Sequence, residues 1–232
     1  MGTMTSETLS VRERILHAAL ELLDEAGSEA FSTRAVTARA GVQAPALYRL
    51  FGDKDGLLES AVERLYADWV ARKGATAPPT DPVEALRAGF DDAVRFGLDH
   101  PAAYRVMQAR SEPGAALARG RVVLEEKVRR VAVAGRLVET PERACALLSA
   151  VARGVTLSLL DVPASDRDLR LAEVARDATV AAITRDAPAH AGDLAATAVA
   201  LRALLPEAEQ LLGQERALME LWLGRLAAGR PR

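Results

Sequence analysis

Apolar residues recur every three to four positions along almost the whole chain, the spacing that gathers them on one face of an α-helix. In VRERILHAALELLDEA (11–26), Ile15, Ala18, Ala19, Leu22 and Leu23 form one stripe, and Gly27 follows as a C-cap. Two short helices are expected at 33–40 and 44–51. Asp53 then suits the N-cap of a longer helix over 54–72, with Leu57, Leu58, Ala61, Leu65 and Trp69 at helical spacing. GATAPPTDP (74–82) interrupts the pattern, because Pro78 and Pro79 cannot continue a helix and push the residues before them into extended backbone. Beyond it the periodicity predicts helices at about 83–99, 102–111, 115–138, 141–161, 166–186, 191–205 and 207–228. Pro101, Pro113, Pro141, Pro163, Pro188 and Pro206 fall in their first turns or in the links between them. No stretch alternates with a period of two and no internal repeat is visible. The expected fold is all-α: a head with a connecting helix over 1–73, a linker at 74–82, and a larger helical domain over 83–232.

Composition agrees with this pattern, since alanine and leucine dominate and aromatic residues make up only 4% of the 232 positions. The net charge of −2 gives the whole chain no nucleic-acid signature. No window approaches the ~18 uninterrupted apolar residues of a membrane span, and MGTMTSETLS lacks a signal-peptide layout, so a cytoplasmic protein without membrane partners is expected. The same start fits a loose myristoylation pattern, but no basic cluster follows to reinforce it. The single cysteine, Cys145, excludes an intramolecular disulfide and a cysteine-cluster metal site, and within ACALLSAVA it reads as a small apolar side chain. His17, His100 and His190 stand in no metal-binding or catalytic motif, and there is no glycine-rich phosphate loop. Neither enzymatic activity nor a metal or cofactor is expected.

One stretch carries functional information: STRAVTARAGVQAPALYRLFGDKDGLL, residues 32–58. A DNA-binding helix-turn-helix needs two tightly bent helices, which fixes apolar positions and a turn. Counting from Thr33, the slots at four, eight, ten, fifteen and eighteen hold Val36, Ala40, Val42, Leu47 and Leu50. Gly41 holds the turn, where left-handed backbone suits glycine. Thr37 occupies a slot where a tiny residue is usual. An ordinary helical hairpin also needs a glycine and apolar contacts, so the polar residues must decide. Ser32, Thr33 and Arg34 sit at the start of the first motif helix, and Tyr48 and Lys54 bracket the end of the second, all suited to phosphates. Gln43, Ala44, Pro45, Ala46 and Arg49 lie on the part of the second helix that would face base edges, small side chains allowing deep entry into a major groove. Arg49 suits a guanine edge or a phosphate, the phosphate slightly the better of the two. Four cations (Arg34, Arg39, Arg49, Lys54) stand against one acid, Asp53, over residues 32–54. That local +3, rather than the acidic chain total, is what nearby phosphates would feel.

The ordered set Ala26-Gly27, Phe31, Ser32-Thr33, Ala40-Gly41-Val42, Leu47-Tyr48, Phe51, Lys54-Asp55 and Leu57-Leu58 resembles the TetR/AcrR (tetracycline-repressor-like) family of bacterial regulators, over about residues 11–65. The resemblance implies a three-helix DNA-binding head on a fourth helix, joined to a helical ligand-binding and dimerisation domain. Thr37 departs from the family's usual alanine, Gln43 from its common serine, and Leu50 from the common histidine, Leu50 being expected to fill a core slot instead. HPAAYRVM (100–107) and ARGVTLSLLD (152–161) look like stretches of the family's regulatory domains.

The resemblance further implies a homodimer reading a palindromic double-stranded DNA operator and released by a small, largely apolar effector. Phe90, Val94, Tyr104, Met107, Leu124, Val128, Val151 and Val155 are the candidate pocket walls, with His100, Tyr104, Arg105 and Thr156 as polar partners; each wall residue could equally be core. Helices 141–161 and 166–186 are the candidate dimer surfaces, and the stripe Leu211, Leu218, Trp222 and Leu226 could join them or pack internally. The competing expectation is a helical small-molecule-binding or scaffold protein without DNA binding.

Overall fold

In the computed structural model, which describes residues 10–73, 79–109, 114–186 and 193–228, Ser10 opens the first helix. Its hydroxyl accepts from the Glu13 amide while the Glu13 carboxylate accepts from the Ser10 amide, a reciprocal capping box. Helix α1 (Val11–Ala30) buries Ile15, Leu16, Ala18, Ala19 and Leu23. Helical geometry breaks at Gly27 (φ 72°), and a further turn carries the element past the point where the apolar stripe placed its end. Then follow α2 (Thr33–Ala40), α3 (Ala44–Phe51), α4 (Lys54–Lys73), α5 (Pro82–Asp99) and α6 (Pro101–Ala109). The remaining helices are α7 (Ala115–Val133), α8 (Pro141–Leu160), α9 (Arg170–Ile183), α10 (Leu194–Leu204) and α11 (Gly213–Ala227). The fold is all-α. Its extended pairing, among the described residues, is a single bridge between Leu137 and Thr184, flanked by the bonds Val138 N–H to Ile183 (3.0 Å) and Arg185 N–H to Arg136 (2.9 Å).

Several ends differ from the sequence reading for local reasons. α7 stops near Val133 rather than 138 because Gly135 (φ 68°) turns the chain into that bridge. The expected helix 166–186 is a 3-10 turn (Ala164–Asp166) followed by α9, and α11 begins at Gly213 after a second 3-10 turn, Leu205–Glu207. The Met-Gly start, residues 74–78 of the expected linker, and Pro113, Pro188 and His190 lie outside the described residues.

The chain forms two compact units. The first joins residues up to 77 with 96–120, and the second joins 78–95 with 121–232. Residues 96–120, which the sequence pattern assigned to the larger domain, therefore cluster with the head. The reason is packing: α6 lies against both α1 and α4. Phe96 also makes edge contacts with Tyr66 and Trp69 of α4, at centroid distances of 5.2 and 5.3 Å. In the second unit α8 packs on α9 and α10 on α11. Arg176 ties α9 to Asp91 of α5 (2.7 Å), and Arg87 of α5 pairs with Asp177 of α9. α8 is long and apolar enough to cross a membrane by length and composition, and a third of that window is buried within the fold.

Candidate nucleic-acid interface and effector residues

The head is built around a tight corner between α2 and α3. Ser32 caps α2, its hydroxyl accepting from the Ala35 amide at 3.2 Å. Gly41 ends α2 in left-handed backbone (φ 64°, ψ 41°), its N–H and that of Val42 turning back to the carbonyls of Ala38 and Thr37. Val36, Ala40 and Leu47 are buried and Val42 is half-buried, as the slots require. Thr37 is buried too, and its hydroxyl donates to the Arg34 carbonyl at 3.0 Å. That bond inside its own helix is how a polar side chain replaces the usual small apolar one without leaving a buried donor unmet.

Leu50 does not fill the expected core slot: it is 39% exposed. With about 100° between successive residues, the eight-residue α3 can turn only a narrow face inward. Leu47 and Phe51, four apart, occupy it, and Leu50 lies beside them on the open face.

That open face is where the candidate base-reading residues stand. Gln43 is the N-cap of α3 but makes no side-chain capping bond, so its amide is not tied to its own helix. Ala44, Pro45 and Arg49 are exposed with it, and Ala46 is half-buried. Tyr48 is half exposed and its hydroxyl meets that of Thr33 at 3.3 Å, joining the start of α2 to α3 across the corner. Asp53 caps α4 by accepting from the Gly56 amide at 2.8 Å, which leaves neighbouring Lys54 exposed with its ammonium 5.9 Å from the Phe31 ring.

The cations are not equivalent. Arg39 pairs with Glu25 at 2.8 Å, so its charge is partly neutralised within the head. Arg34 and Arg49 are exposed and form no ion pair among the described residues. Sequence reasoning missed one further cation: Arg12, 39 positions before Phe51, sets its guanidinium 5.5 Å from that ring, beside the end of α3. A local motif reading carries no signal for it, since only the packing of α1 brings it there.

The eleven candidate effector residues do not form one group. His100, Tyr104, Arg105 and Met107 belong to the first unit, and Phe90, Val94, Leu124, Val128, Val151, Val155 and Thr156 to the second. Phe90, Val94, Tyr104, Met107, Val128 and Val155 are buried, while Leu124 and Val151 are half-buried. Thr156 is fully buried and its hydroxyl donates to the Ala152 carbonyl at 2.7 Å, so its polar atom is satisfied along its own helix. His100 packs its ring 5.3 Å from Phe96. Of the eleven, Met107 borders a cleft of about 20 Å³ in the first unit, between α4, α6 and the start of α7, with Val62, Val106 and Leu117 as further apolar walls and Glu59 and Glu63 among them. Among the described residues no group of histidine, cysteine and carboxylate side chains is placed to hold a metal. Cys145 is half-buried, and burial first, then Glu125 and Glu142, pushes its thiol up to about 11.

A three-helix head with a capped, glycine-turned corner and a small-residue face on its third helix defines a helix-turn-helix protein. Residues 15–61 match the family of bacterial regulatory proteins, tetR family, a similarity confined to this head. The tetracycline repressor protein class C of Escherichia coli is 44% identical over 54 residues, 23% of this chain and 25% of that protein. The HTH-type transcriptional regulator BetI 1 of Chromohalobacter salexigens is 37% identical over 83 residues, 34% of this chain and 41% of that one. The chain thus spans less than half the length of these curated relatives. Over a longer stretch it resembles the solved structure of SmeT, the repressor of the Stenotrophomonas maltophilia multidrug efflux pump SmeDEF. That likeness has a TM-score of 0.59 at 25% identity and covers 81% of this chain and 96% of SmeT.

Proposed function

We propose that the protein is a DNA-binding transcriptional regulator, acting as a homodimeric repressor that leaves a near-palindromic operator when a small molecule binds. The observation that carries this is the head itself. Four cations, Arg12, Arg34, Arg49 and Lys54, surround a helix-turn-helix whose exposed helix offers Gln43, Ala44, Pro45 and Ala46 to a groove. In this reading Ser32, Thr33, Arg34, Tyr48 and Lys54 hold phosphates while Gln43 to Ala46 and Arg49 face bases. The relatives are named as regulators and a repressor, which favours the same activity here.

The dimer reading is supported by unpartnered faces on α8 and α9. Ala146, Leu147, Ala150 and Gly154 are exposed along one, and Leu171, Val174 and Ala178 along the other. Two such heads would meet successive major grooves about one DNA turn apart. The effector would act by preferring the arrangement in which the heads no longer fit the operator, since a ligand shifts an equilibrium only by its differential affinity.

The test is binding of the chain to fragments of its source genome across a salt series. Affinity is expected to fall by ~0.9 log units per log unit of salt for each phosphate neutralised. Arg49→Ala and Lys54→Ala are expected to weaken binding in circular-dichroism-verified folded protein. A chain that binds no fragment, with a flat salt response, would instead be the helical scaffold or small-molecule binder.

A further inference from the structure

We propose that the outer face of α11, with the groove beside it, is a second self-association surface, on which α11 of another copy of the chain lies antiparallel. This contact is distinct from the α8 and α9 faces and holds whether or not the chain reads DNA. α11 is apolar on both sides. Leu223 is buried against Ala198 and Leu205, with Met219 and Ala227 half-buried around it, which joins α11 to α10. Leu218, Leu221, Trp222 and Leu226 stand exposed on the other side, Trp222 by 54%. A helix that is apolar all round belongs in an interior, and one chain covers only its inner side.

The shape of the surface names its occupant. Beside the exposed stripe runs a groove of about 200 Å³, walled by Leu201 and Leu204 of α10 and by Leu211 and Met219. Its charged wall residue, Glu207, is already paired with Arg129 at 2.8 Å, so the groove offers an apolar hole. Met219 stands one turn before Trp222, which puts knob and hole side by side on one surface. A patch carrying both is complementary to its own copy across a two-fold axis. Each Trp222 enters the other copy's groove, and the contact closes at two faces.

Charge sets the direction. Glu215 and Arg225 are both exposed, and stand five residues either side of position 220. At about 100° per residue, Glu215, Leu218, Trp222 and Arg225 share an arc of about 80° on the outer side of α11. Arg225 forms no ion pair among the described residues, and Glu215 uses one oxygen to accept from the Leu212 amide at 2.9 Å. An antiparallel copy centred on position 220 sets each Glu215 opposite the other copy's Arg225, with Leu218 opposite Trp222; a parallel copy sets like charges together. Glu220 itself is turned inward to Arg202 at 2.8 Å and takes no part. One helix and its flanking groove fall at or below the ~800 Å² per partner of a standard interface, so association in the micromolar range is expected.

The experiment is sedimentation velocity of the full chain over a concentration series, with and without Val174→Glu. The α11 step is expected to run from dimer to tetramer in the unaltered chain, and from monomer to dimer in the Val174→Glu chain. Trp222→Ala, at an exposed position, is expected to weaken that step at least about tenfold, since an aromatic anchor in a groove carries much of such a contact. Leu201→Trp fills the groove and is expected to do the same with Trp222 still in place. Arg225→Glu is expected to weaken the step, and Glu215→Arg combined with Arg225→Glu to restore it. Circular dichroism checks that each variant keeps its helix content. A chain that stays monomeric, self-association that neither Trp222→Ala nor Leu201→Trp alters, or a double reversal that associates no better than Arg225→Glu alone would overturn the proposal. So would Trp222-dependent binding to phosphatidylglycerol vesicles by a chain whose self-association ignores α11, which would give the face to a lipid surface. An unaltered chain that stops at dimers and dissociates on Trp222→Ala upholds the α11 contact and sinks the dimer through α8 and α9 instead.

Discussion

Two glycines at the corners of the head do different work. Gly41 adopts left-handed backbone, and a Cβ built there would have nothing within 4 Å, so only the backbone opposes a larger residue. Gly56, in the first turn of α4, has ordinary helical backbone, but a Cβ there would overlap the Phe51 carbonyl oxygen at the end of α3. Gly41→Ala is expected to lower the stability of the head by about 1–2 kcal/mol, the cost of left-handed backbone for a residue with a side chain. Gly56→Ala is expected to cost about 1–3 kcal/mol through overpacking, and also to weaken DNA binding, because relieving the overlap moves α3 against α4. Urea denaturation gives both costs. A Gly56→Ala protein as stable as wild type would show that the α3–α4 corner relaxes freely. The sequence pointed to Gly41 through its place in the motif; Gly56 was invisible there, because its constraint comes from a carbonyl five residues earlier.

At the scale of elements, caps and helix approaches set where charge sits. Asp81 opens α5, accepting from the amides of Val83 and Glu84 and pairing with Arg136 at 2.6 Å. The Glu84 amide first, and then the Arg136 guanidinium, holds its carboxyl below the usual carboxylate range. Because the folded value is depressed, its stabilisation is present above the unfolded value, about 3.9, and fades as pH falls through the folded one. Asp81→Asn is therefore expected to lower the melting temperature at pH 7, with a smaller gap from wild type at pH ~3. An equal gap at both pH values would show that the cap's charge contributes nothing.

Helix approach brings Arg12 to Phe51 in the same way. Arg12→Ala is expected to weaken DNA binding and to reduce the salt slope by about 0.9, the share of one phosphate contact. An unchanged slope would confine Arg12 to packing on the ring. The apolar pattern placed each helix along the chain, but not this neighbour, since periodicity says which face is buried and not what covers it.

For the whole molecule, the exposed apolar faces of α8 and α9 are the surfaces on which the proposed dimer rests. Val174 is 57% exposed in the middle of the α9 face. With the proposed dimer, Val174→Glu is expected to shift the protein from dimer to monomer in sedimentation velocity, and to weaken the proposed operator binding by removing the second head. A sedimentation coefficient identical to wild type would exclude α9 from the dimer. The exposed leucines and Trp222 of α11 form a further open apolar surface. The stripe foreseen in the sequence is divided there, with Leu211 packed against the small core of Ala198, Leu205 and Leu223 while Leu218, Trp222 and Leu226 are exposed.

The sequence by itself determined the helical class, most helix bounds to within a few residues, and the helix-turn-helix with its likeness to tetR-family heads. All of these are written in local order: 3.6-residue periodicity, capping residues, prolines in links, and a motif contained within 27 positions. Tertiary structure decided the rest. It turned Leu50 outward because a two-turn helix has room for only two inward side chains. It drew residues 96–120 to the head through the packing of α6 on α1 and α4. It also divided the candidate effector residues between two units and left one oxygen of Glu63 buried without a donor. Each of these depends on which faces meet across long sequence separations, and hydrophobic spacing along the chain is the same whichever partner a face finds.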